Sequence, residues 1–255
     1  MSREKISKSE NIVPGRKPVF ELLQESPHHI DTVLVAREEG GLANIVALCR
    51  QQRVRFRLVP RTELDRLTPG AHQGVAARMR PCASADMEAL LQALPTAPLP
   101  VLLALDQVQD PGNVGTLART LYGLGGAGLL VPKDRSAYLG GHAAKAAAGA
   151  LARLPVHVAV NLGRALRAIA DHEVPIYGAA AHGDALDLWQ VRFCFPCVLV
   201  LGGEERGIRP GIQSRCHTLV RIPMARDLNS LNVAQAGAIL LGEMWRQLNE
   251  CTAAG

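Results

Sequence analysis

Two short segments near the C-terminus carry the residue types that a small-molecule site needs. Residues 201–207 read LGGEERG and residues 222–232 read IPMARDLNSLN. Each follows a β-rich run and then leaves regular structure. VLVLGGEE passes through two glycines into a charged turn, and LVRIPM passes through Pro223 into a polar loop. Helix restarts at the Asn-Ser-Leu-Asn step. Adjacent strand ends with bare backbone and a few polar side chains make a cleft for a small molecule, as open α/β sheets make them at the carboxyl ends of their strands. A third segment, DQVQDPGNVGTLAR (106–119), ends a strand, turns through Pro111 and Gly112 and starts a helix. That helix carries Asn113 and Arg119 less than two turns apart. Taken singly, each residue has an ordinary reading. Asn113 reads as a helix N-cap, Arg119 as a surface cation, Glu204 as an exposed turn carboxylate and Asn232 as a helix start.

Three other patterns carry less. Residues 123–128 spell GxGxxG, but these glycines close a helix and precede a strand. The dinucleotide fingerprint needs the reverse order, so that phosphates meet helical N–H groups. A helix C-cap and turn is the better reading. Cys194 and Cys197 form a CxxC without a second pair or a histidine at zinc-finger spacing. They read as structural, and no metal site is expected. His72, between the Pro69-Gly70 turn and a strand, reads as a turn histidine or, beside a basic strand, as an RNA contact.

The elements that must position these residues fall into two groups. Residues 1–12 are polar and read as a disordered tail with no secretory signal. Residues 13–80 alternate helix (about 16–25), strand (32–36), helix (about 42–52), strand (54–59), helix (about 61–67) and strand (74–79). This is a small α/β domain. Residues 81–98 hold three prolines around one short helical patch and read as a linker. From residue 99 to 255 continuous apolar strands alternate with helices, the mark of a buried, mostly parallel sheet. Hydrophobic residues make up 48% of the 255 and aromatics only 4%, so the core is expected to be Leu, Val, Ala and Ile. No apolar run is long enough for a membrane span, and scattered cysteines suit a reducing, cytoplasmic setting. The net charge of +5 lies wholly in residues 1–80; the remainder sums to zero. Alternate arginines at 53, 55 and 57 would share one strand face, either as a phosphate-contacting stripe or as a solvated, aggregation-resistant edge.

NVGTLAR, LGGEERG and IPMARDLNSLNVA, in this order and spacing, resemble the three motifs of the SpoU/TrmH class of SPOUT RNA methyltransferases. The basic N-terminal domain with its PG-x-HQG turn resembles that class too. It is most similar to the subfamily that methylates a guanosine ribose of 23S ribosomal RNA (RlmB-like). The resemblance implies S-adenosylmethionine as methyl donor, 2'-O-ribose methylation as reaction, a homodimer and a C-terminal trefoil knot in the SPOUT domain. The domain before it is implied to be a ribosomal-protein-like RNA-binding module. Asn113, Arg119, Glu204 and Asn232 match the family's active-site positions. Leu201, Gly202, Gly203, Ile222, Pro223, Met224, Ser230, Leu231 and Asn232 match its cofactor-binding segments, with the two glycines expected to admit the adenosyl group closely. A tRNA-directed enzyme of the same class and a non-catalytic RNA-binding or assembly factor are the competing expectations. Retention of Arg119, Glu204 and Asn232 together favours an enzyme.

Overall fold

Strand-forming residues of the N-terminal segment gather into a four-stranded sheet. The computed structural model describes residues 12–253, apart from 26, 38–39, 69–71, 80–83, 138, 182, 205 and 227. Of the expected tail (residues 1–12), residues 1–11 lie outside the described residues, as does the Pro69-Gly70 turn, and Ile12 begins a strand. The chain divides into two units, Met1–Cys82 with Tyr138–Lys145, and Ala83–Ala137 with Ala146–Gly255.

In the first unit, β1 (Ile12–Pro14), β2 (Ile30–Ala36), β3 (Arg55–Val59) and β4 (Val75–Met79) lie in the order β1-β4-β2-β3. β2 and β3 are parallel; the other pairs are antiparallel. IDTVLVA in β2 is apolar on both faces because both are covered. Val33 and Val35 pack with Val19, Leu23, Ile45 and Cys49 of helices α1 (Arg16–Glu25) and α2 (Ala43–Gln51). Leu34 and Ala36 turn the other way onto Leu64 of α3 (Arg61–Leu67). The period of two along a strand dictates this split. Arg55 and Arg57 stand exposed on the edge strand β3. Arg53 does not share that strand: it sits in the preceding turn with φ 55°. His72 is a turn histidine, 1% exposed, with Nδ1 accepting from the Gly74 N–H (3.0 Å) and Nε2 donating to Asp65 (2.8 Å).

The second unit is built on β5 (Leu99–Asp106), β6 (Gly126–Pro132), β7 (Val156–Ala159), β8 (Ile176–Ala179), β9 (Leu186–Asp187), β10 (Cys197–Gly202) and β11 (Thr218–Arg221), ordered β7-β6-β5-β10-β8-β11-β9. Every neighbouring pair is parallel, so all carboxyl ends share one edge. β5 is buried at every position, as its unbroken apolar run requires. Residues 81–98, expected as a linker around one short helical patch, hold α4 (Met87–Ala93) at that patch. Leu90 and Leu94 are each 1% exposed and pack with Leu102, Ala104 and Leu130 of the sheet. The prolines bound this helix without dissolving it, because its apolar positions find a core.

On one sheet face lie α4, α7 (Leu162–Ala170) and α8 (Pro210–Gln213), through Leu162, Leu166, Ile169 and Ile212. α5 (Pro111–Gly123) and α9 (Val233–Ala253) pack against each other, α5 against β6 and α9 against β10. The Ala-rich run expected as one helix is α6 (Gly141–Ala147), broken by the left-handed Gly149 (φ 85°) before a 3-10 turn. The GxGxxG glycines close α5 and enter β6 through Gly125 (φ 80°), the helix-to-strand order the sequence indicated. No described helix is long and apolar enough to cross a membrane.

Candidate active site

β8, β10 and β11 all stop at the same edge of the sheet, and their exits surround a cleft of about 630 Å³. Pockets of roughly 300–1,000 Å³ take drug- and nucleoside-sized ligands. β10 leaves through Gly202, and β11 ends at Arg221 because Pro223 has no N–H to continue a ladder. Leu201, Gly202, Gly203, Ile222, Met224, Ser230 and Leu231, all expected at a site, line the cleft. Pro223 and Asn232 do not line it. The sequence reading missed Ala179, Ala180 and Ala181 at the end of β8, Ile208, and Leu240 of α9, which also line it. The small residues ending VPIYGAAA were the signal that could have found the first three. Met224 and Leu228 expose 41% and 53% of their surface here, apolar side chains turned to an open cleft. These walls and the bare backbone suit a flat, partly apolar ring with polar edges.

At the rim, three polar side chains form one relay. The Asn232 Oδ1 accepts from the N–H groups of Ala234 (2.9 Å) and Gln235 (3.4 Å), capping α9. That cap fixes the sense of its amide, leaving Nδ2 to donate to Asn113 Oδ1 at 3.0 Å. Asn113 must then present its own Nδ2 outward, and it donates to Glu204 Oε1. A helix cap thus orients a carboxylate two side chains away. Asn113 is held in turn, because Asp110 rather than Asn113 is the N-cap of α5 and accepts the Asn113 N–H at 2.8 Å. Asn232 is thus a helix start, as its ordinary reading had it, and the same side chain also binds Asn113.

Gly202 and Gly203 have a reason within the fold itself. A Cβ on Gly202 would stand 2.0 Å from the Gly207 carbonyl carbon, and one on Gly203 would stand 2.5 Å from the Gln107 oxygen. The close approach is by the chain's own backbone. Arg119 is not hydrogen-bonded into the relay. It projects from the outward stripe of α5 with Thr116, about 9 Å along the axis from Asn113. It is exposed and makes no hydrogen bond or ion pair with a described residue. Cys194 is exposed and Cys197 buried, and burial pushes the Cys197 thiol up, which makes it a poor nucleophile.

Residues 100–242 match the model of the SpoU rRNA Methylase family, and residues 12–83 match a model described as RNA 2'-O ribose methyltransferase substrate binding. A protein named "Uncharacterized tRNA/rRNA methyltransferase" from Mycolicibacterium vanbaalenii is 36% identical, over 96% of this chain and 79% of its own. The SpoU methyltransferase AviRb from Streptomyces viridochromogenes, solved in complex with AdoMet, superposes with a TM-score of 0.68 at 23% identity, covering 98% of this chain and 94% of its own. An AdoMet-bound rRNA methyltransferase from Sinorhizobium meliloti gives 0.64 at 23% identity, over 97% and 91%. At these identities the two solved structures establish the fold.

Proposed function

The chain belongs to the SpoU family of rRNA methylases, whose reaction is RNA 2'-O-methylation, and from that premise we propose that it methylates the ribose 2'-hydroxyl of a guanosine in 23S ribosomal RNA, in the cytoplasm, with S-adenosylmethionine as donor. The observation that carries the chemistry is the relay from Asn232 through Asn113 to Glu204 on the rim of a nucleoside-sized cleft. AdoMet in AviRb, which shares the fold, supports the choice of donor.

The residues present fit that donor. Leu201, Ile222, Met224 and Leu231 wall the space for its adenine, and Gly202, Gly203 and Gly207 line the same cleft beside them. Pro223 shapes the loop, and Asn232 serves through the relay. When bound, the donor supplies a methyl group on a sulfonium sulfur, already a strong electrophile. The chain's work is therefore alignment. Glu204, held by Asn113, accepts a hydrogen bond from the attacking hydroxyl, fixes its direction and receives its proton as the ribose oxygen takes the methyl group. Arg119 holds the adjoining phosphate or hydroxyl and stabilises the developing alkoxide. A guanidinium keeps its proton, so Arg119 is not the base.

The basic N-terminal unit, with Arg55 and Arg57 on its edge strand, binds the RNA backbone. The active form is a homodimer through α5 and α9, whose Tyr122, Ile239 and Trp245 expose 40%, 38% and 45% of their surface. The trefoil knot implied by the family resemblance is part of this reading. Mapping 2'-O-methyl sites in ribosomal and transfer RNA, with and without the gene, tests it. Loss of one guanosine methyl in 23S RNA is expected. Loss of a tRNA methyl instead would move the substrate, and no loss would overturn the reading.

A further inference from the structure

Asp106 ends β5 and is fully buried, at 0% exposure. A carboxylate in such a place is costly unless it is paired and hydrogen-bonded. Its partner lies 103 residues on: Arg209 donates its backbone N–H to Oδ2 at 2.8 Å, and its Nε and a terminal nitrogen to Oδ1 at 2.8 and 2.6 Å. The main chain of Asp106 is engaged as well, its carbonyl accepting the Gly203 N–H at 3.0 Å. Gly203 and Arg209 are the two ends of the loop that leaves β10. One residue therefore grips that loop where it starts and where it stops. In between, the Gly207 N–H donates to the Gly203 carbonyl at 2.9 Å and closes the loop on itself. The carboxylate of Glu204, which receives the Asn113 amide, projects from this closed loop.

Buried ion pairs add little stability compared with apolar residues of the same volume, and their better-attested use is to specify one geometry. An apolar residue at the end of β5 would fill the core and leave the loop to settle elsewhere. We propose that Asp106 is a positioning residue: through Arg209 and Gly203 it sets the 203–209 loop so that Glu204 meets Asn113 at the cleft rim. It touches neither donor nor RNA, since no surface of it is exposed. The inference rests on the functional reading above, in which Glu204 directs the attacking hydroxyl.

The test uses the full chain with Arg209→Lys and Asp106→Asn. An ammonium cannot reproduce the fork that Arg209 makes on Oδ1. Because the Arg209 side chain is 41% exposed, Arg209→Lys is the milder change and decides the matter if Asp106→Asn does not fold. Displacing reacting groups by an ångström costs on the order of 10²-fold, so single-turnover methyl transfer to 23S RNA should fall roughly 10- to 100-fold in folded Arg209→Lys, with RNA affinity kept within about twofold. In a Glu204→Ala background the same change should cost less than about threefold, because coupled residues are not additive. A melting temperature that drops while the rate of the folded variant holds overturns the proposal. So do rate losses that multiply in full with Glu204→Ala. If the unsubstituted chain transfers no methyl group, the functional reading fails and takes this one with it; transfer that is indifferent to Arg209 overturns this one alone.

Discussion

In the proposed reading, Arg119 and the Asn232–Asn113–Glu204 relay divide the residue-scale work between them. The relay is fixed from within, by a helix cap at one end and a carboxylate at the other. Arg119 is fixed by nothing among the described residues, so its order must come from what binds there. A group with that role adds to the rate and little to the affinity for the donor. Arg119→Ala is therefore expected to leave S-adenosylmethionine binding by calorimetry unchanged and to lower single-turnover methyl transfer by roughly 10²–10⁴-fold, the range for a lost transition-state group. Arg119→Lys should recover little of this, because an ammonium lacks the planar fork. Equal losses of binding and turnover would place Arg119 in the donor pocket. These four residues stood out in the sequence only because three motifs occurred in order. Their individual types, two asparagines, a glutamate and an arginine, are ordinary at helix starts and turns.

At the scale of elements, the long strands were legible because burial on both faces leaves an unbroken apolar run, as in β5 and β10. β9 was not, since two residues, Leu186 and Asp187, are a strand only by pairing with β11. α4 was legible as a helical patch between prolines, but not as part of the core that Leu90 and Leu94 join. The Asp106–Arg209 pair had no local signature at all, being a contact across 103 residues. The closing helix α9 carries its own ionic brace. Glu243, 8% exposed, accepts from Arg246 at 2.7 and 2.8 Å and from Gln247 at 2.8 Å. Gln247 in turn binds the Phe193 N–H and the Val191 carbonyl. The Arg246 hydrogen bonds hold the Glu243 carboxyl below its ordinary range despite burial. A depressed folded-state pKa stabilises above the unfolded value and is lost as pH falls through the folded one. Glu243→Gln should thus cost roughly 1–2 kcal/mol at pH 7, a typical charged hydrogen bond. In thermal melts the gap from the unsubstituted chain should close as the pH falls through the carboxylate range. A gap that persists in acid would assign the effect to packing.

The net charge of +5 falls within residues 1–80, and the remainder of the chain sums to zero. Arg55→Ala with Arg57→Ala should weaken binding to 23S RNA and reduce the salt slope by about 1–2, as loss of two phosphate contacts requires. Donor binding should not change. An unaltered salt slope would return these arginines to the role of a charged, aggregation-resistant edge. The apolar side chains left exposed on α5 and α9 set the second expectation at this scale. Sedimentation at micromolar concentration should give twice the 27.3 kDa chain mass, and Trp245→Glu should shift it toward the single chain. A monomer that methylates normally would contradict the dimer. The central claim, methyl transfer to a ribose hydroxyl at a rim built by Glu204 and Asn113, is tested most directly by single turnover. The purified chain, methyl-labelled S-adenosylmethionine and 23S RNA are mixed, and the RNA is digested to nucleosides. The account predicts label in 2'-O-methylguanosine, lost in Glu204→Ala while that variant still binds the donor. Label on a base, or unlabelled RNA from a chain that binds the donor, would contradict it.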